Sequence, residues 1–221
     1  MRQLVLCVLV SPGLWSWSPT FHEVQTKLAS RMVPAPLAAV LHAQREILLT
    51  AGRGQNSDEP PTVEQVETQF NRILALSESR PSQRQLAREL GILAHMVQVL
   101  TDPAATQGMT PIRITFMTFG DENLRRMVLT RQPAWAVTAP IDPKPRILAW
   151  TREKFDRHAM LLEHFDQERN ARLGEWDELS IPFAQLQLSF SAGIHATANL
   201  WILLWRAVGD KWPMQAEIPA H

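Results

Sequence analysis

Tyrosine is absent from this 221-residue chain, cysteine occurs once, and 22 basic residues are matched by 22 acidic ones. Each shortage excludes something. A single Cys7 permits no intrachain disulfide and no cysteine-pair zinc site. A formal charge of zero leaves no global basic field to draw nucleic acid or an anionic membrane, and the arginines at 125, 126 and 131 are interspersed with acids. Without tyrosine, tryptophan is the one aromatic left with a polar edge. There is no glycine-rich phosphate loop, no internal repeat and no alternating run of strand length. The most apolar stretch, Ile181 to Val208, is interrupted by Gln185, Gln187, His195, Asn199 and Arg206, which reads as a buried helix and not a membrane span.

Eight tryptophans and eight phenylalanines promise large buried anchors, and 221 residues suffice for one sizeable core. Sixteen prolines punctuate the chain. Residues at helical spacing run from Thr20 to Val33 (Phe21, Val24, Leu28, Met32) and stop at Pro34 and Pro36. A second helix is expected over Leu37 to Thr50, ended by Gly52 and Gly54. Thr62 with Gln65 has the form of a capping box opening a helix to about Leu76, and Ser82 with Gln85 repeats it. The helix after Ser82 carries His95 and ends at Asp102-Pro103. A moderate helix follows over Ile114 to Leu129, then an irregular proline-rich stretch. An amphipathic segment, Arg146 to Arg172, places Ile147, Trp150, Phe155, Leu161, Leu162 and Phe165 on one side. The last helix spans Glu178 to Val208. The expectation is an all-α, single-domain multi-helix bundle of six or seven helices.

The N-terminus has the order of a secretory signal: Met1-Arg2-Gln3, an apolar run from Leu4 to Val10, then Ser11, Pro12, Gly13 and Ser16. Residues 1–16 are accordingly expected to be a signal peptide, 17–209 the helical domain and 210–221 a tail, with the protein exported to the periplasm or medium.

Three segments carry a more specific pattern. Trp17 is followed after four residues by His22; Gly91, His95 and Pro103 are spaced along one helix and its end; Thr118-Phe119-Gly120-Asp121-Glu122 comes later. In this order they resemble the superfamily of bacterial zinc-dependent phospholipase C and single-strand-specific zinc nucleases, all-α and usually exported phosphoesterases with a three-zinc cluster. The resemblance implies that Trp17, once it is residue one of a mature chain, chelates zinc through its amine and carbonyl, with His22 on the same ion. It implies further ligation by His95, with Asp58 and Glu122 as the remaining candidates, and a phospholipid or nucleic-acid phosphoester as substrate.

The pattern is also broken. The bridging aspartate expected four residues after His95 is Val99, the histidine expected after Pro103 is Ala105, and the histidine paired with Glu122 is Thr118. Valine has no lone pair to give a metal. Asp102, seven residues from His95, lies about 10 Å along a helix of 1.5 Å rise and is a poor substitute. Two functional readings follow: a zinc hydrolase with a reduced metal site, or a catalytically inactive descendant kept as a binding or structural module. Each residue also has a plainer reading. His95 and Trp17 suit a helical core, His22 suits a helix start at the surface, and Asp58 and Glu122 suit solvated positions. His158 and His164 are expected at the surface, and His195 with Asn199 as a satisfied polar patch in the core. Ser189-Phe190-Ser191-Ala192-Gly193 lacks the strand–turn–helix setting of a nucleophile elbow.

Overall fold

The computed structural model describes residues 17–53, 60–106, 110–130, 135–168 and 171–208. The proposed signal peptide, Asp58, and residues 209–221, which include the proposed tail, lie outside them. The described residues form eight α-helices and no strand: α1 (Pro19–Ala29), α2 (Ala35–Ala43), α3 (Arg45–Gly52), α4 (Val63–Glu78), α5 (Gln83–Thr101), α6 (Thr110–Asn123), α7 (Lys144–Leu162) and α8 (Ile181–Val208). The all-α bundle read from the sequence is what is found.

Local chemistry sets the helix ends. Ser18 caps α1, its side chain accepting the Phe21 amide, with Pro19 in the first turn. The Thr62–Gln65 capping box is complete: the Thr62 hydroxyl takes the Gln65 amide at 3.3 Å, and the Gln65 side chain takes the Thr62 amide at 2.8 Å. Ser82 accepts the Gln85 amide at 3.2 Å. Asp102 caps α5 in an extended conformation, as Pro103 requires of the residue before it.

Several boundaries differ from those expected; the last helix, for one, begins at Ile181 and not at Glu178. The stretch 37–50 is broken at Gln44, which leaves helical geometry (φ −107°, ψ 27°) and separates α2 from α3. The helix expected over Ile114 to Leu129 begins at Thr110, ends at Asn123 and continues only as a 3-10 turn, Leu124–Arg126. The amphipathic segment stops at Leu162, after which Phe165 and Arg172 face each other in an isolated antiparallel bridge. Phe155, assigned to the apolar side of that segment, is 58% exposed. Ile147, Trp150 and Leu161 fix the buried stripe of α7, and Phe155 lies off it.

The long α8 is the axle of the bundle. It is buried almost throughout and packs on α1, α4, α5 and α7. Trp201 is fully buried and donates from Nε1 to the Leu90 carbonyl of α5 at 3.2 Å, satisfying the polar edge that a buried tryptophan brings. At the other end of the core Trp17 stacks on Phe21 with ring centroids 4.2 Å apart and 13° between planes, and Phe116 of α6 leans on it at 5.5 Å. α3 packs directly on α5, where Gly91 lets the two backbones meet. No helix among the described residues is long and apolar enough to cross a membrane.

Candidate functional site

His22 sits in the first turn of α1, and His95 lies mid-way along α5. Packing of these helices brings the two imidazoles together, with ring centroids 4.5 Å apart and planes inclined by 55°. His22 is fully buried, not a surface helix-start residue. His95 is half-buried, but its Nδ1 is shielded from solvent.

A polar neighbour fixes the tautomer of His22. Gln98, fully buried, donates from Nε2 to the Thr26 hydroxyl at 3.0 Å. Its oxygen Oε1 therefore faces His22 Nδ1, 2.7 Å away, and accepts the proton there. This leaves the lone pair on His22 Nε2, which is buried without a partner. The Gly52 backbone beside the His95 ring favours its protonated state. Nδ1 of His95 is buried without a hydrogen-bond partner. The two imidazoles in contact thus each have one buried nitrogen without a partner, and on His22 the other nitrogen donates to an oxygen. That is how metal-binding histidines are usually oriented.

Electrostatics keeps both rings neutral. Burial lowers His22 from 6.5 to about 3, helped by the adjacent His95 and opposed by the Gln98 hydrogen bond. Burial lowers His95 to about 4 against the Gly52 hydrogen bond. A neutral imidazole is the form that ligates.

Of the remaining candidates, Asp58 lies outside the described residues and Glu122 does not join the pair. Trp17 is a core anchor whose ring points into the aromatic cluster with Phe21 and Phe116; its Nε1 is buried without a partner. Its neighbour Ser18 donates to the Asp121 carboxylate and ties the start of α1 to α6. Glu122 and Thr118 are both exposed on α6. Val99 and Ala105 are buried apolar residues, 6% and 1% exposed. Among the described residues no group of three or more His, Cys, Asp or Glu side chains stands together as a metal site. A cleft of about 350 Å³ between α1, α2 and α3, lined in part by Lys27, Arg31, His42 and Arg45, includes neither His22 nor His95.

The other histidines divide. His195 and Asn199 form the satisfied core patch anticipated from their spacing: His195 Nε2 lies 2.7 Å from the Thr130 carbonyl, and Asn199 accepts the Ala136 amide at 3.1 Å. His158 and His164 are half-buried instead of exposed, and His158 Nδ1 lies 2.7 Å from the Pro103 carbonyl. Gln98 and Gly52 escaped the sequence reading. A glutamine on the apolar face of α5, three residues after His95, was the available signal.

No protein-family model, curated protein or solved structure matches the chain.

Proposed function

We propose that the chain is a descendant of the zinc phospholipase C and zinc nuclease architecture whose metal centre has contracted to the His22–His95 pair, and that it serves as a metal-binding, non-hydrolytic module. The observation that carries this reading is the pair of buried ring nitrogens, His22 Nε2 and His95 Nδ1, that have no hydrogen-bond partner. Desolvated nitrogens with no partner are costly to leave empty, and a metal ion satisfies both at once.

The donor set fits one ion and not three. His22 and His95 supply two nitrogens. If export cleaves the chain before Trp17, the freed amine and the carbonyl of Trp17 are the further donors that the resemblance assigns, and a tetrahedral zinc would be filled. A zinc ion held there would supply a Lewis-acidic centre. The positions that would hold the second and third ions carry Val99, Ala105 and Thr118, so in-line phosphoester cleavage between metals has no ligands to support it.

A second reading, a reduced hydrolase acting on a phospholipid or nucleic-acid phosphoester, is favoured by the half-exposure of His95, which would give a substrate access to an ion beside it. The two readings separate in one experiment. The chain beginning at Trp17 is loaded with zinc, dialysed and assayed for metal content and for cleavage of bis(p-nitrophenyl) phosphate. One zinc per chain, lost in His22→Asn and in His95→Asn, with no turnover, is the expected result. Turnover abolished by chelator and by His95→Asn would establish the hydrolase. A folded chain starting at Trp17 that binds no zinc would overturn both.

A further inference from the structure

The end of α1 and the break between α2 and α3 gather positive charge around the cleft of about 350 Å³ between these helices. Lys27 lines it from the last turn of α1 and Arg31 from just beyond that helix. His42 reaches it from the last turn of α2, and Arg45 from the start of α3. None of the described residues that line it is acidic. The inner wall is apolar: Leu41, Leu48 and Leu49 are only 1%, 2% and 7% exposed and belong to the core behind it. A cleft of this volume is of small-molecule size.

The basic groups here are uncommitted. Arg31, His42 and Arg45 are exposed, and none of their side chains pairs or hydrogen-bonds with another described residue. Lys27 is held by Glu23, but the same carboxylate also takes Arg53 at 2.8 Å, so one negative charge is divided between two positive ones. Glu46, next to Arg45 in the first turn of α3, is exposed and does not line the cleft. A concave surface edged by charge of one sign concentrates ions of the other. Exposed cations alone hold a simple inorganic ion poorly, because water and salt screen them. Here they stand against an apolar wall, which rewards a ligand that also has carbon to bury.

We infer that the cleft between α1, α2 and α3 binds a small amphipathic anion, an apolar body ended by a carboxylate or phosphate. Arg31 and Arg45 offer planar guanidinium forks to the oxygens of the head group, and Lys27 adds charge. The body lies on Leu41, Leu48 and Leu49, flanked by the methylene stems of the basic side chains. A cationic ligand is repelled by the same groups. Ser30 contributes no donor, since its hydroxyl proton is spent on the Lys27 carbonyl at 2.8 Å. Neither His22 nor His95 lines the cleft, and the inference does not rest on the metal reading.

Octanoate and octyl phosphate, kept below their micellar concentrations at neutral pH, are the probes. Acetate supplies the charge without the body, 1-octanol the body without the charge, and octylammonium the opposite sign. Binding to the full chain is read by calorimetry and by thermal unfolding. The expected result is saturable binding of octanoate or octyl phosphate, at least about tenfold tighter than acetate, octanol or octylammonium. Arg31→Gln and Arg45→Gln each weaken it about threefold, and the two together about tenfold. Ala38 is a half-buried lining residue, and Ala38→Phe fills the cleft and removes binding. His22→Asn leaves it unchanged, which separates this site from the histidine pair. Octanol or acetate bound as tightly as octanoate, or undiminished binding by the double arginine variant, would overturn the site. Should Ala38→Phe not fold, the double variant decides, since both arginines are exposed. The tighter of the two probes identifies the head group, and binding of neither overturns the site. Association with phosphatidylglycerol vesicles without octanoate binding would overturn it in favour of a membrane surface.

Discussion

Gly91 of α5 meets the backbone of α3 so closely that a Cβ built on it would stand 2.4 Å from the carbonyl oxygen of Leu48 and 2.8 Å from the Cβ of Ala51. Both obstacles are fixed, one a backbone atom and the other a side chain with no rotamer to change. Alanine in a helix interior ordinarily gains about 1 kcal/mol over glycine. Here the clash wins, and Gly91→Ala is expected to lose about 1–3 kcal/mol in urea unfolding. The same displacement of α3 withdraws Gly52 from His95, so any metal binding by the histidine pair weakens with it.

Acid should unfold the protein through its buried histidines. Both have folded values far below 6.5, about 3 for His22 and about 4 for His95, so between pH 6.5 and 4 the unfolded chain takes up protons that the folded chain refuses. Stability is full above pH 6.5 and falls as the pH drops through that window. Asp102 acts in the opposite sense, since its folded value is raised to about 6 and the folded state holds its proton longer from pH 6 down to 4. Two histidines outweigh one aspartate, and the net slope remains destabilising in acid. His22→Asn, which keeps a donor for Gln98, should flatten the pH profile of the unfolding midpoint, and Asp102→Asn should steepen it.

Val99→Asp tests ancestry directly. Val99 is one helical turn beyond His95 and buried. An aspartate there should cost roughly 3 kcal/mol with chelator present, from burying a polar group without a partner. Zinc should recover part of that loss and bind at least about tenfold tighter than in the wild type, as a carboxylate joins the imidazoles. Equal zinc affinity in the two proteins would show that position 99 does not face the histidines' metal.

Gly193 on α8 admits a similar test. Its Cβ would lie 2.5 Å from the Gln25 amide nitrogen, which now donates to the Phe190 carbonyl at 3.1 Å. Gly193→Ala should displace that amide and cost about 1–2 kcal/mol, the penalty of stranding a buried donor. Gly193→Ala combined with Gln25→Ala should recover stability relative to Gly193→Ala alone if the amide is the obstacle.

The helical architecture was legible because its signals are local: the capping box at Thr62, the proline after Asp102 and the apolar spacing along α1. The split at Gln44 carried no such signal, since no proline or glycine marks it. Phe155 was misplaced because an apolar residue near a helical stripe looks the same whether it lies on the stripe or just beside it. At the site, His22 and His95 were legible as candidates, but their contact depends on α1 lying across α5, which no spacing within either helix expresses. Gln98, which decides where the His22 proton sits, matters only once that crossing exists. The basic residues near Asp102 were invisible for the same reason: Arg113 belongs to α6, Lys154 and Arg157 to α7, and each reads singly as ordinary surface charge.

The central position of α8 has a kinetic consequence. Trp201 bonds to Leu90 and Gln25 to Phe190, partners separated by 111 and 165 residues. Contacts so distant along the chain are slow to close and reward the chain only late. During synthesis, the helices up to α7 emerge with their apolar faces uncovered until residues 181–208 leave the ribosome. This nascent bundle should therefore bind chaperones, and a stop codon before residue 181 should yield a species that aggregates.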